Sequence, residues 1–247
     1  MPRFFVRSSQ IQNGIVTILG DDAHHISRSL RMARGEEITV SDMQRNEYRC
    51  RLEEFLPDRV LASVIETGKA DTEPPFELVL FQALPKGDKM DTVIQKAVEC
   101  GASRIVPFES ERCIAHLKKE TEAHKTERRR RIAAEAAKQS GRGMLPEVLP
   151  SVSFPEMLDA AKEADLTLFC YEGDGTVPIG RLLAGVTPEK VHRIAIVIGS
   201  EGGFSLEEAE RAKNAGFLLT GLGKRILRTE TAATFALAAI CAVTELS

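Results

Sequence analysis

Apolar positions near the start of the chain come in short runs separated by polar residues, the pattern of strands with one buried face. Residues 15–19, 37–41 and 60–65 read as such strands around one short helix, so residues 1–70 are expected to form a small β-rich domain. The segment ADTEPP (70–75) follows. Pro74 and Pro75 can continue neither a helix nor a central strand, which makes it the expected domain boundary. Beyond it, apolar blocks at 76–84, 104–108, 166–171, 193–198 and 217–222 alternate with helical periods. In the first of these helices Met90, Val93, Ile94, Ala97 and Val98 share one face, and Gly101 closes it. A long charged helix is expected to run to about Gln139. Ser153 with Glu156 and Ser205 with Glu208 have the spacing of capping boxes. Such β-α alternation predicts an α/β domain over 76–247, built on a parallel sheet covered on both faces. The last helix, 229–246, is apolar nearly all round and is expected to lie in the core or against a second subunit.

Composition narrows the class. No apolar run approaches the roughly 20 residues that span a bilayer, and no apolar stretch follows the early arginines as in a secretory signal, so the cytoplasm is the expected compartment and no membrane partner is expected. Five cysteines stand singly, without a C-x-x-C pair or a histidine at ligand spacing, so neither disulfides nor a metal are expected. The formal net charge of −3 conceals an uneven distribution. Arg3, Arg7, Arg28, Arg31 and Arg34 make the first 34 residues net positive, and Arg128 to Arg131 form a basic block farther on. A phosphate backbone could be gripped by such clusters.

Ligands of open α/β sheets bind beyond the carboxyl ends of the strands. Three glycine-bearing loops stand there in this chain, after 171, 198 and 222. One of them, Gly199-Ser200-Glu201-Gly202-Gly203-Phe204, would let a ligand approach bare backbone amides. Another, starting at Gly223, carries Lys224, Arg225 and Arg228. Tight turns alone would also account for single glycines. Neither loop satisfies a phosphate-loop or dinucleotide fingerprint.

At these loops the chain resembles a known family. IGSEGGFS (198–205) followed by LGKRILRTETAA (222–233) is similar to the C-terminal signature of the SPOUT superfamily, and within it of the RsmE family of 16S rRNA uridine-N3 methyltransferases. RFF, HHISRSLRMARGEEITVSD (24–42), ALPKGDKMDTVIQKAVECGASRIVPFESERC (83–113) and EAAKQSGR (135–142) resemble the family's other motifs, in its order. The resemblance implies a PUA-like β-barrel that binds RNA, then an α/β domain with a C-terminal trefoil knot, a homodimer, and S-adenosylmethionine as methyl donor. It places donor contacts at Gly199, Glu201, Gly202, Leu222, Gly223, Ile226, Leu227, Arg228 and Thr231, with a wall at 170–172 that includes Tyr171. Ser200 stands where the family commonly has proline, which removes a fixed φ from the loop. Cys100 and Cys113 are also departures from its usual residues.

Methylating N3 of uridine requires an unpaired or flipped base, removal of a proton, and stabilisation of charge developing on O2 and O4. Arg228 is the expected stabiliser of that charge and Glu201 a candidate general base, their alternatives being a loop ion pair and a carboxylate that satisfies nearby amides. Arg3 and Arg7, the trio Arg28, Arg31 and Arg34 at helical spacing, Lys86, Lys89, Gln139, Ser140 and Arg142 are the expected RNA contacts, in 16S rRNA or the small ribosomal subunit. A solvated face or loop is the alternative for the arginine trio and the two lysines. Two further readings stay open: the same scaffold acting on a ribose 2′-hydroxyl or another RNA position, and a non-catalytic RNA-binding assembly factor.

Overall fold

The computed structural model describes residues 1–116 and 119–246, apart from the side chain of Lys119. They fall into two compact units. One comprises Met1–Glu73 together with Ala137–Leu145; the other comprises Pro74–Ala136 and the chain from Pro146 onward. The expectation that everything after residue 76 belongs to one domain thus fails for 137–145.

Unit 1 is a six-stranded sheet of β1 (Arg3–Phe5), β2 (Ile11–Gln12), β3 (Ile15–Leu19), β4 (Glu37–Ser41), β5 (Asn46–Phe55) and β6 (Arg59–Lys69), paired in the order β1-β4-β5-β6-β3-β2. All pairings are antiparallel except β1 with β4. Alternate residues such as Val16 and Ile18, Ile38 and Val40, and Cys50 and Leu52 point into one core. A one-residue slip would turn each of these pairs outward. The sequence reading missed β5, because charged residues interleave its apolar ones and two register shifts, at Arg49/Cys50 and Leu52/Glu54, break its alternation. Helix α1 (Gly20–His24) passes into a wider turn that ends at Ser29. Only Arg28 of the arginine trio therefore lies on helix; Arg31 has a left-handed φ of 51° and Arg34 lies in a turn.

Unit 2 is built on β7 (Glu77–Ala83), β8 (Arg104–Glu109), β9 (Glu147–Val148), β10 (Val152–Ser153), β11 (Leu166–Cys170), β12 (Val177–Pro178), β13 (Arg193–Ile198) and β14 (Leu218–Gly221). The order is β10-β8-β7-β13-β11-β14-β12, with β9 beside β8, and every pairing is parallel. The central strands are apolar on both faces, as a covered parallel sheet requires: Ile194 to Ile198 are all buried. The helices are α2 (Lys89–Glu99), α3 (Lys119–Gln139), α4 (Phe154–Ala161), α5 (Ile179–Leu183), α6 (Leu206–Asn214) and α7 (Thr229–Thr244). Both expected capping boxes form, at Ser153 with Glu156 and at Ser205 with Glu208. Ala233, Ala236, Leu237 and Ile240 bury one face of α7, which packs on α2, α5 and β13. Phe235 and Val243 remain exposed on it.

The end of α3 and the loop after it are held in unit 1 by an ion pair that sequence reasoning misassigned. Arg142 is only 2% exposed and cannot meet RNA as expected; its guanidinium donates to Glu73 at 2.6 and 2.9 Å. Glu73 also accepts from the amides of Gly143 and Met144, at 2.8 and 3.1 Å. Gly143 allows this close approach, since a Cβ there would lie 2.2 Å from that of Ala70. Burial pushes the Glu73 carboxyl up, but the Arg142 hydrogen bond and charge and the two amides outweigh it and hold the group below its ordinary value. A depressed folded value means that the pair's stabilisation is complete above the unfolded carboxylate range and is lost as pH falls through the folded value. Arg142→Ala, which strands the buried carboxylate, is expected to cost about 3–5 kcal/mol in urea unfolding followed by circular dichroism at neutral pH. The gap to wild type should close as pH falls below the ordinary carboxylate range; a gap independent of pH would contradict this account.

Candidate functional site

In unit 2, β13, β11 and β14 are neighbours in the sheet. Their carboxyl ends, Ile198, Cys170 and Gly221, therefore open within roughly 10 Å of one another, two strand spacings apart. The loops after them enclose a cavity of about 650 Å³, within the size range of small-molecule sites. Segments 199–204 and 221–229, distant from each other in sequence by a whole helix and strand, form opposite parts of its wall, with 170–173 and Thr176 between them. Much of the wall is bare main chain. A Cβ on Gly202 would come 2.9 Å from that of Arg112, and one on Gly199 would meet the Gly203 backbone at 3.2 Å. Gly223 has φ +107°, which side chains rarely adopt.

Several contacts hold the 199–204 loop. Phe204 is buried in an aromatic cluster, its ring 4.2 Å from that of Phe169 and stacked on Phe108 at 6.3 Å. The Ser200 hydroxyl donates to the Arg112 carbonyl at 3.2 Å, and the Arg112 guanidinium donates to the Gly202 carbonyl at 3.2 Å. The serine thus supplies a tether where a proline would have supplied a fixed φ. On the inner side, the Thr229 hydroxyl donates to the Gly199 carbonyl at 2.6 Å and accepts from Gln82 Nε2 at 2.8 Å.

Charge is arranged unevenly at the cavity. Glu201 accepts from Lys89 Nζ at 2.6 Å and from the Lys86 amide at 3.2 Å. Lys89 also stands 3.8 Å from Glu230. Partial burial pushes the Glu201 carboxyl up. The Lys89 hydrogen bond, the amides of Glu201 and Lys86, and the Lys89 charge prevail and hold it below the ordinary range. A carboxylate so engaged is a poor proton acceptor near neutral pH, which favours the amide-satisfying alternative over the general-base role. Arg228, at the N-cap of α7, lines the cavity and is exposed. Its guanidinium has no hydrogen bond or ion pair among the described residues, so the loop ion pair that was its alternative does not form.

Of the expected donor contacts, Tyr171, Gly199, Glu201, Gly202, Leu222, Gly223, Ile226, Leu227 and Arg228 all line this one cavity. Thr231 does not: helix α7 turns it outward, and Thr229 and Ala232 line the wall instead. Lys89, expected at RNA, lines the cavity as well. Among the other expected RNA contacts, Arg7, Arg28, Arg31, Arg34, Lys86 and Gln139 are exposed, and Ser140 is half-buried. Arg3 is spent on Glu47 at 2.7 Å and on the Arg142 carbonyl. The block at 128–131 is largely committed within unit 2: Arg128 pairs with Asp91, Arg129 is buried against Glu122 at 3.0 Å, and Arg130 donates to the Val148 carbonyl. Sequence reasoning missed Gln82, Arg112, Thr229 and Glu230. Gln82 left a local signal, as the one amide side chain inside the apolar run 76–84; Arg112, Thr229 and Glu230 lie within the motifs at 83–113 and 222–233, where nothing local singles them out.

Among the described residues, no cluster of three or more His, Cys, Asp or Glu could hold a metal ion, and no helix is long and apolar enough to cross a membrane. Residues 72–241 match the family model described as an RNA methyltransferase domain. Over its whole length the chain is 35% identical to ribosomal RNA small subunit methyltransferase E of Bacillus subtilis, covering 98% of that protein. It is 34% identical to the protein of the same name from Mesomycoplasma hyopneumoniae, over 96% of this chain and 97% of that one. The crystal structure of ribosomal RNA small subunit methyltransferase E from Neisseria gonorrhoeae bound to S-adenosyl methionine superposes with a TM-score of 0.83 at 32% identity, covering 98% of each chain.

The Lys89–Glu201 contact gives a direct test of the cavity's electrostatics. Removing the cation in Lys89→Met is expected to move the Glu201 carboxyl titration upward toward the ordinary carboxylate range, as followed by carbon-13 NMR of labelled glutamate side chains. An unshifted titration would show that Lys89 does not set the ionisation of Glu201.

Proposed function

The chain belongs to the ribosomal RNA small subunit methyltransferase E family, and on that premise we propose that it transfers the methyl group of S-adenosylmethionine to N3 of one specific uridine in 16S rRNA. The observation that carries this reading is the convergence of the two glycine loops on one main-chain-lined cavity of about 650 Å³. Its cradle fits the donor, because glycine at 199 and 202 lets the loop pack tightly on Gly203, Phe204 and Arg112 and leaves bare main chain lining the cavity, where an adenosyl group can approach closely. Bound there, the donor supplies an electrophilic sulfonium methyl.

The rest is the work of this chain's own groups. The backbone at Gly199, Gly202, Leu222 and Gly223, with the apolar stems of Ile226 and Leu227, holds the donor, and Tyr171 closes one side. Arg228 meets the uracil edge as negative charge spreads to O2 and O4, its guanidinium left free by the loop for that purpose. Arg228 thereby also favours loss of the N3 proton, which passes to water. Glu201 keeps Lys89 at the cavity rim, so that a second cation faces the RNA.

In this reading unit 1 is a PUA-like β-barrel whose Arg7, Arg28, Arg31 and Arg34 grip phosphates, aided by Lys86, Gln139 and Ser140. The C-terminal part of unit 2 is a SPOUT-type trefoil knot. The exposed apolar residues of α7, Phe235 and Val243, support a homodimer. The substrate is 16S rRNA within the small ribosomal subunit or its precursor.

Mass spectrometry of nucleosides from 16S rRNA treated with purified protein and isotope-labelled donor tests the assignment. Label in 3-methyluridine supports it, and label on a ribose 2′-oxygen overturns it. Arg228→Ala is expected to lower kcat about 100- to 1000-fold while leaving affinity for S-adenosylhomocysteine within about threefold. Unchanged turnover would remove Arg228 from the chemistry. Arg28→Ala should weaken RNA binding and flatten its salt dependence by about one unit of slope; an unaltered slope would take Arg28 off the RNA.

A further inference from the structure

We propose that Gln82 and Thr229 are positioning residues: together they lock the first cavity loop onto the start of α7 and so fix the shape in which the cavity accepts its donor. This rests on the reading of the cavity as an S-adenosylmethionine site.

Gln82 is fully buried near the end of β7, in a strand whose other inward residues are apolar. Its Nε2 donates to Thr229 Oγ1 at 2.8 Å and to the Ala83 carbonyl at 3.0 Å, and lies 3.4 Å from the Gly199 carbonyl. Its Oε1 is buried without a hydrogen-bond partner among the described residues. The orientation is forced, because a flipped amide would aim its oxygen at two carbonyl oxygens instead of a donor. A leucine here would bury without that penalty, so the amide does more than fill the core.

Thr229 completes the chain of bonds by donating to the Gly199 carbonyl at 2.6 Å. Gly199 is the first residue past β13 and Thr229 the first of α7, so one amide and one hydroxyl join three elements: β7, the loop at 199–203 and the last helix. Pinning the Gly199 carbonyl also fixes the Ser200 N–H, since both belong to one planar peptide. Both residues line the cavity. Arg228 immediately precedes Thr229, so the same bond sets where that guanidinium begins. Glycine at 199 and 203 gives the loop wide conformational freedom, and without this tie that freedom would have to be lost each time donor binds.

The test is calorimetry of the full-length protein with S-adenosylhomocysteine, using Thr229→Val, Thr229→Ser, Gln82→Leu and the double variant Gln82→Leu/Thr229→Val. Thr229→Ser keeps the hydroxyl and should bind within about threefold of wild type. Thr229→Val and Gln82→Leu should each bind about tenfold more weakly, the loss of one buried hydrogen bond, and the double variant no more weakly than the worse single, because both changes break one chain. Donor KM should rise in step while kcat at saturating donor changes less. Gln82→Leu relieves the unpaired oxygen, so it keeps the question answerable should Thr229→Val not fold. Wild-type affinity in folded Thr229→Val or Gln82→Leu, or additive losses in the double variant, would overturn the proposal. Failure of the wild-type protein itself to bind would instead refute the donor-site reading.

Discussion

Main-chain groups at the carboxyl ends of three adjacent parallel strands make the site, and the sheet order is what brings them together. With β11 lying between β13 and β14, loops separated by a helix and a strand in sequence become walls of one cavity. The register that places Ile196 beside Leu168, and Leu168 beside Leu218, also places Gly199 and Leu222 at the same end of the sheet. A backbone-lined wall depends on glycine at a few positions and tolerates exchange at others. Gly202 has no room for a side chain, whereas Ser200, two residues earlier in the same loop, carries one. Its hydroxyl is bonded to the Arg112 carbonyl and so helps to hold the loop.

Electrostatics then divides labour among the charged residues. Most arginines and lysines that the sequence offered as contacts for an anionic partner have partners within the protein. Arg142 is sealed against Glu73, Arg3 pairs with Glu47, Arg129 is buried against Glu122, and Lys89 holds Glu201. These pairs convert cations into structure, and the buried ones, Arg142 with Glu73 and Arg129 with Glu122, would be costly to strip of a partner. Arg228 differs, as do Lys224 and Arg225: all three line the cavity, and none has a side-chain partner among the described residues. A cation kept free beside a main-chain-lined cavity suits stabilising charge that exists only while a reaction passes through it.

The strands of the second unit were legible because each is a near-continuous apolar run flanked by capping signals. The run 193–198 coincides with β13, and both capping boxes formed where Ser and Glu stand three apart. The cavity loops were legible through glycine and through the quoted motifs. What escaped was long-range. Nothing local marks Arg142 as the partner of Glu73, 69 residues away, and its position at the end of a charged helix suggests solvent. Strand β5 hid because its ten residues carry five charges and two register shifts. The arginines at 28, 31 and 34 have helical spacing, but α1 and its continuation end at Ser29, so only Arg28 is carried on helix. Thr231 and Thr229 are two residues apart in one motif, and only the helix phase decides which of them faces the cavity.

The proposed function requires bare amides at 199–203 and 222–228 to clasp one adenosyl group. Backbone amide NMR of the isotope-labelled protein titrated with S-adenosylhomocysteine addresses it most directly. Large shift changes should concentrate in those two segments and the 170–173 loop, in common proportion to ligand bound. Changes confined to residues 1–73, or resonances of the two loops that do not respond, would contradict it.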